Sequence, residues 1–244
     1  MPLAKGGSAD AQYKLAEMLV KGIGVKKNEL EGAKWCRAAA EKGYVPAECQ
    51  LGRLYEDGIG VRDDINQALH WLQLACNHGS AQAAYELSGI YASGMAGPGG
   101  DQKAVKYCRL AAERGLPAGE HLLGDIYRMG KLAQVNCKEA LKWYLKAADD
   151  GDPEALYFIG NLYYEGGSGV TPNHKAAAAV YLQLFERKEG GFYSLAARRL
   201  ADMYHTGDGL EKNDVLARKF LRASQVLNSR DERLNSELMP AQAP

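Results

Sequence analysis

The chain has 244 residues, room for one or two domains, with 30 Lys plus Arg against 30 Asp plus Glu and therefore no formal net charge. Without a positive field it is not built as a general nucleic-acid binder or a polybasic membrane binder. At 46% hydrophobic and 25% charged residues it is not a disordered chain either.

Glycine is abundant at 28 while proline is only 8, a bias that points to turns at regular places. Those turns come from a repeat. Gly7, Gly43, Gly79, Gly115 and Gly151 lie 36 residues apart, as do Ala11, Ala47, Ala83, Gly119 and Ala155. The same phase holds for Leu15, Leu51, Leu87, Leu123 and Ile159, and for Leu19, Tyr55, Tyr91, Tyr127 and Tyr163. Gly22, Gly58, Gly94, Gly130 and Gly166 close each register. A sixth copy follows an insertion of five: Ala196, Leu200, Ala201, Tyr204 and Gly207.

In chain order, Leu3 to Gly7 reads as the tail of a preceding helix. Copies then start near 7, 43, 79, 115, 151 and 192, giving one repeat domain over 1–228 and a partly disordered tail over 229–244, which ends in Pro240 and Pro244. Each copy predicts two helices. The first runs from about Ala11 to Lys21 in copy one, with Ala11, Leu15, Met18 and Leu19 at helical spacing, and a glycine ends it as a left-handed cap. The second carries an aromatic at a fixed place, Trp35, Trp71, Tyr107, Trp143, Tyr181 and Phe220, expected to fill the gap between layers. Small residues inside the first helix, Ala16, Gly52, Ser88, Gly124, Gly160 and Ala201, imply tight helix crossing, because an interior glycine costs about 1 kcal/mol. Copies three and four depart in the loop between their helices, at Gly97–Gly100 and Lys131–Ala133. Copy five carries extra residues around Gly166–Val170, and copy six lacks the closing glycine.

One helix pair cannot bury its apolar face alone, whereas six stacked pairs can. The fold class is all-α, a right-handed α-solenoid superhelix of about six helix-turn-helix repeats. The pattern A-x-x-x-L-G-x-x-Y-x-x-G-x-G-V, then A-x-x-W-Y-x-x-A-A-x-x-G, resembles the Sel-1-like repeat, a relative of the tetratricopeptide repeat. Ala47, Leu51, Gly52, Tyr55, Gly58, Gly60, Val61, Ala68, Trp71, Ala75 and Gly79 carry it in copy two. Ala140, Trp143, Tyr144, Ala147, Ala148 and Gly151 carry it in copy four. The match runs over roughly residues 7 to 225.

Catalytic chemistry is not supported. The G-x-G pairs Gly22–Gly24 and Gly58–Gly60 follow helices, as turns do, and no phosphate-loop sequence is present. His70, His78, His121, His174 and His205 form no i, i+4 metal pair, and Asp202 with His205 offers an ion pair only. The cysteines, Cys36, Cys49, Cys76, Cys108 and Cys137, lack zinc spacing, so no metal and no cofactor is expected. They read as packed thiols, with a Cys49–Cys76 disulfide as the alternative. The cysteine ladder of secreted, penicillin-binding members of the family is absent. No run approaches the ~20 apolar residues of a membrane span, and Met1 to Gly7 lacks the apolar run of a signal peptide, so membrane insertion is not expected and the expected location is cytoplasmic.

With no enzyme chemistry in view, the free face matters. On a helical wheel the first helix turns its core inward near offsets 0, 4, 7 and 8 from its first alanine, leaving offsets 2, 6 and 9 opposite. Those offsets vary between copies, and the tetratricopeptide resemblance implies that they line the concave groove. Tyr85, His121, Asp125, Arg128, Tyr157, Asn161 and Tyr164 form the expected central partner-binding patch. Replacing Tyr85 and Tyr157 by Ala is expected to remove binding with little change in stability. The leading function is a non-enzymatic scaffold or adaptor that binds a partner protein or peptide, not nucleic acid. Alternatives are an immunity protein that blocks a toxic enzyme and a β-lactam-binding or β-lactam-hydrolysing enzyme. The apolar face of a truncated first helix predicts self-association at the N-terminal end.

Overall fold

The computed structural model describes residues 4, 6–188 and 192–225, so the predicted tail 229–244 lies outside the described residues. Twelve helices with named bounds occur among them. They are α1 (Ala9–Lys21), α2 (Glu29–Ala40), α3 (Val45–Asp57), α4 (Ile65–Asn77), α5 (Ala81–Ala92), α6 (Gly100–Glu113), α7 (Pro117–Met129), α8 (Cys137–Asp149), α9 (Pro153–Glu165), α10 (His174–Arg187), α11 (Phe192–Thr206) and α12 (Asp214–Gln225). The chain forms two compact units, residues 1–119 and 120–244.

In unit 1, α1 packs on α2, α3 on α4 and α5 on α6, and neighbouring pairs stack through α2–α3 and α4–α5. In unit 2, α9 packs on α10 and α11 on α12, with α8–α9 and α10–α11 as the stacking contacts. The helix starts follow from the residues that precede them. Ser8, Asn28, Asp64, Ser80, Asn136, Asp152 and Asn173 each accept a hydrogen bond from a backbone N–H of the first turn. The stops follow from glycine: Gly22 and Gly58 close α1 and α3 at φ 72° and 67°. The second glycine of the G-x-G turn does a different job. A Cβ on Gly60 would sit 2.0 Å from the Glu29 carbonyl oxygen, so the loop of copy two lies directly on the start of α2.

The departing loops of copies four and five still close as the regular ones do. The N–H of Asn28, Asp64, Asn136, Asn173 and Asn213 donates to the carbonyl of Leu19, Tyr55, Tyr127, Tyr163 and Tyr204 respectively, whatever lies between. Copy five absorbs its extra residues as a bridge in which Gly167 and Val170 exchange N–H···O bonds of 3.0 and 2.9 Å. Copy three keeps Gly100 because a Cβ there would meet the Tyr91 carbonyl oxygen at 2.3 Å.

Gly52, Gly124 and Gly160 of the first helices are notches, as expected, and the predicted aromatic is buried in copies five and six, at Tyr181 and Phe220, but not in copies one to four. Trp35, Trp71, Tyr107 and Trp143 are only half-buried. The side chain seated in the notch is Tyr181 against Gly160, as predicted, and in copies two and four the residue after the predicted one, Leu72 against Gly52 and Tyr144 against Gly124, each within 2.4–2.7 Å of where a Cβ would be. Both tyrosines are completely buried. The physical reason is size matching across the helix pair: glycine on one helix makes room for a ring from the other. At the start of the chain Ala4 is helical and buried against Leu15 and Leu19. The apolar face that prompted the expectation of self-association is therefore covered at those two leucines.

Candidate functional site

The offsets left free by the core carry the candidate site, and it takes a different form in each unit. In unit 2 it is a network of polar groups and rings built from α7, α8 and α9. Gly124 lets the Tyr144 ring pass between the helices, and its hydroxyl donates to Asp125 Oδ1 at 2.7 Å. Arg128 Nη2 donates to the same oxygen at 2.9 Å, and Arg128 Nε donates to the Tyr144 hydroxyl at 3.0 Å. One turn before Asp125, His121 presents Nδ1 to Asp152 Oδ2 at 2.5 Å and Nε2 to Asp125 Oδ2 at 3.7 Å. Asp152 also caps α9, accepting from the Glu154 N–H at 2.9 Å. Phe158 closes the cluster: Arg128 lies over its face at 4.8 Å, Tyr144 stacks on it at 5.3 Å and His121 meets it edge-on at 5.4 Å.

Burial disfavours the charged form of His121, but its hydrogen bond to Asp152 and the carboxylates of Asp152, Asp125 and Glu154 outweigh it, so its pKa is raised. Burial likewise opposes the Asp152 carboxylate, yet the His121 bond and the N–H groups of Glu154 and Ala155 hold its pKa below the ordinary value.

The next turn of the surface repeats the device. The Tyr181 hydroxyl emerges beside Gly160 and donates to Asn161 Oδ1 at 2.6 Å. Tyr157 touches Phe158, Tyr181 and Phe192 and hydrogen-bonds Arg199. Arg199 also lies over Tyr164 at 5.7 Å and pairs with Glu165 at 3.2 Å. Tyr164 donates to Asp208 at 3.0 Å and stacks on His174, which itself bonds Asp208.

Of the seven predicted patch residues, His121, Asp125, Arg128, Tyr157, Asn161 and Tyr164 lie in this network, all half-buried. Tyr85 lies in unit 1, half-buried on α5. The sequence reading missed Tyr144, Tyr181, Asp152, Phe158 and Arg199. The signal for the two tyrosines was the glycine on the facing helix; Asp152 was legible as a helix cap; Phe158 and Arg199 carried none. Two expectations need correction. His205 pairs with Asp214 at 2.8 Å rather than with Asp202, because the loop after α11 returns the start of α12 beside it. Tyr157 cannot be replaced by Ala without loss of stability, because its ring has three aromatic neighbours.

In unit 1 the same offsets border open space. A cavity of about 450 Å³ is lined by Tyr13, Cys49 and Arg53 from the free face, by His78 and Ser80 of the turn before α5, and by Gln82. Cys49 is buried, as a packed thiol is expected to be, with its thiol 3.5 Å from Glu86. All five cysteines are free, so the disulfide between Cys49 and Cys76 is not formed. Burial pushes the thiols of Cys36, Cys49 and Cys108 up to about 12, which keeps them un-ionised near neutral pH. No group of three His, Cys, Asp or Glu among the described residues is placed to hold a metal ion. No helix among the described residues is long and apolar enough to cross a membrane.

A repeated helical hairpin with a conforming core and a variable outer face defines a solenoid scaffold, and the comparison with known proteins gives its kind. The Sel1 repeat matches six times, at residues 9–44, 45–80, 81–116, 117–152, 153–184 and 194–224. The chain belongs to the Sel1 repeat family and is an all-α solenoid of that type. It is similar, at 31% identity and a TM-score of 0.83, to the structure of a protective antigen present in uropathogenic Escherichia coli strains that displays an SLR fold. That likeness covers 97% of this chain but 49% of the antigen, so the chain spans about half the length of that relative. A Sel1 repeat protein from Oxalobacter formigenes is similar at 25% identity and a TM-score of 0.72, over 91% of this chain and 89% of its own. No curated protein matches the chain in sequence.

Proposed function

We propose that the chain is a non-enzymatic interaction scaffold that binds a partner protein or peptide along the face formed by its first helices. The observation that carries this reading is the coincidence of sequence and geometry on one helix face. Offsets 2, 6 and 9 vary from copy to copy, and those same positions build the aromatic and charged network of unit 2 and border the cavity of unit 1. A network whose polar groups already hold one another loses little conformational entropy when a partner arrives. Tyr and Arg at its surface are the residue types that anchor interfaces. Membership of the Sel1 repeat family supports an interaction role. The un-ionised thiols of Cys36, Cys49 and Cys108 support a structural rather than a nucleophilic role for those three cysteines.

The test is capture of partners from the native lysate, identification by mass spectrometry, and titration of the purified partner. Tyr85→Ala with Tyr164→Ala on the free face is compared with Lys142→Ala and Leu145→Ala on the exposed side of α8. Affinity falls at least about tenfold, roughly 1.4 kcal/mol, in the free-face variant and stays unchanged in the α8 variant. Equal affinity for both, or loss only in the α8 variant, would overturn the assignment.

A further inference from the structure

We propose that the unit-1 cavity receives the side-chain carboxylate of an Asp or Glu carried on an extended segment of the partner, with Arg53 as its anchor. This rests on the partner-binding reading above and adds to it the chemistry of one contact.

The cavity wall is rich in donors and holds no carboxylate: Arg53 and Gln50 from α3, His78 and Ser80 from the turn, and Gln82 at the start of α5. The carboxylates that balance the two basic groups lie behind them. Glu86 is 11% exposed and sits 3.6 Å from Arg53, and Glu48 is wholly buried under His78, 2.8 Å from its Nδ1. Both oxygens of Glu86 are already engaged, one by Gln82 at 3.0 Å and the other by the Cys49 thiol at 3.5 Å. Arg53 is the reverse case. Its side chain is 46% exposed, and of the five N–H groups a guanidinium carries, it uses one in a hydrogen bond, to Gln50. A carboxylate entering the cavity therefore meets unused donors in a fork geometry, which is the strongest neutralising contact available to it. A cationic side chain would meet the Arg53 charge and find only neutral amide and hydroxyl oxygens in the wall, with no carboxylate to pair with.

Glu56 and Asp57 lie near the same place and make the wider field unfavourable to an anion. Their effect is spread over the solvent-filled mouth and is screened over about 8 Å at physiological salt. A direct charge-assisted pair with Arg53 is not, so contact decides over field. Tyr13, Val45 and Pro46 supply apolar wall for the residue beside the acid, and the volume lies within the range of side-chain and ligand pockets.

Three blocked pentapeptides, Ac-Ala-Val-X-Val-Ala-NH2 with X as Glu, Gln or Lys, are titrated into the full chain while the Arg53 Nε–Hε and Gln82 amide signals are followed by NMR. The Glu peptide shifts both signals saturably and binds at least about tenfold more tightly than the other two. Arg53→Gln removes that preference while the chain stays folded, as its melting curve and amide spectrum show, because Arg53 is exposed. Glu86→Gln, which takes away the competing charge, tightens the Glu peptide. Equal response to the three peptides, a preference for Lys, or no effect of Arg53→Gln would overturn the inference. If that happens while partner capture still depends on Tyr85 and Tyr164, only this contact falls; if capture is also independent of them, the scaffold reading falls with it.

Discussion

Tyr144 is the residue on which the unit-2 site turns. Its ring occupies the space that Gly124 leaves, and its hydroxyl holds Asp125 and Arg128 in register. Tyr144→Phe keeps the ring and removes the hydroxyl, so chemical denaturation shows a loss of about 1–2 kcal/mol. Gly124→Ala places a methyl group 2.7 Å from the ring and costs about 1–3 kcal/mol. Combined with Tyr144→Leu, part of that cost returns, and the double-mutant cycle gives a coupling of about 1 kcal/mol; strict additivity would contradict the notch.

His121 and Asp152 give the residue scale its pH dependence. The His121 pKa is raised above 6.5, so its stabilisation is complete below that unfolded value and is lost as pH rises through the folded one. The Asp152 pKa is lowered below 3.8, so its stabilisation is present above that value and is lost as pH falls through the folded one. Their joint contribution is greatest between about 4 and 6.5. Melting curves of His121→Gln against wild type show the difference shrinking as pH rises above 6.5; a difference that grows with pH would reverse the assignment.

At the scale of elements, the hairpins are held by caps, turns and the approach of one loop to the next helix. Asn136→Ala leaves the Glu139 N–H without its 3.1 Å acceptor and costs about 1 kcal/mol by chemical denaturation. Gly60→Ala adds strain at φ 68° to a clash with the Glu29 carbonyl and costs about 2–3 kcal/mol, more than the same change at Gly79, where no atom lies within 4 Å of the new methyl. The two sites have left-handed φ in common, so their difference isolates the contact.

Elements were also where the sequence was most readable. Glycines and alanines spaced by 36 residues fixed the hairpins, because a stacked repeat imposes the same caps and close approaches in every copy. The choice between Trp143 and Tyr144 as the buried ring was not readable from one helix. Adjacent aromatics differ by about 100° on a wheel, and the decision belongs to Gly124 on the facing helix. Phe158 and Arg199 stayed hidden for a related reason: they lie beside the free offsets and join the site through partners on other helices. His121, Asp125 and Arg128 were legible because offsets 2, 6 and 9 fall on one stripe.

For the whole molecule, neighbour-only packing means that each repeat's stability is a local property plus its interfaces. Gly160→Ala drives a methyl into the Tyr181 ring at 2.4 Å, deep in the core of unit 2. Hydrogen exchange then accelerates across α9 and α10 while the amides of α2 and α3 keep their protection. Uniform loss of protection would show one cooperative block instead. The same organisation suits a scaffold, since the core is set by the repeat and the outer face of each first helix is free to take on contacts.

Whether a partner uses that free face is read by hydroxyl-radical footprinting of the chain with its captured partner. Tyr13, Tyr85, Tyr157 and Tyr164 become protected on binding, while Trp143 and Leu145 of α8 are labelled as before. Protection of Trp143 and Leu145, with those four tyrosines unchanged, would contradict binding at that face.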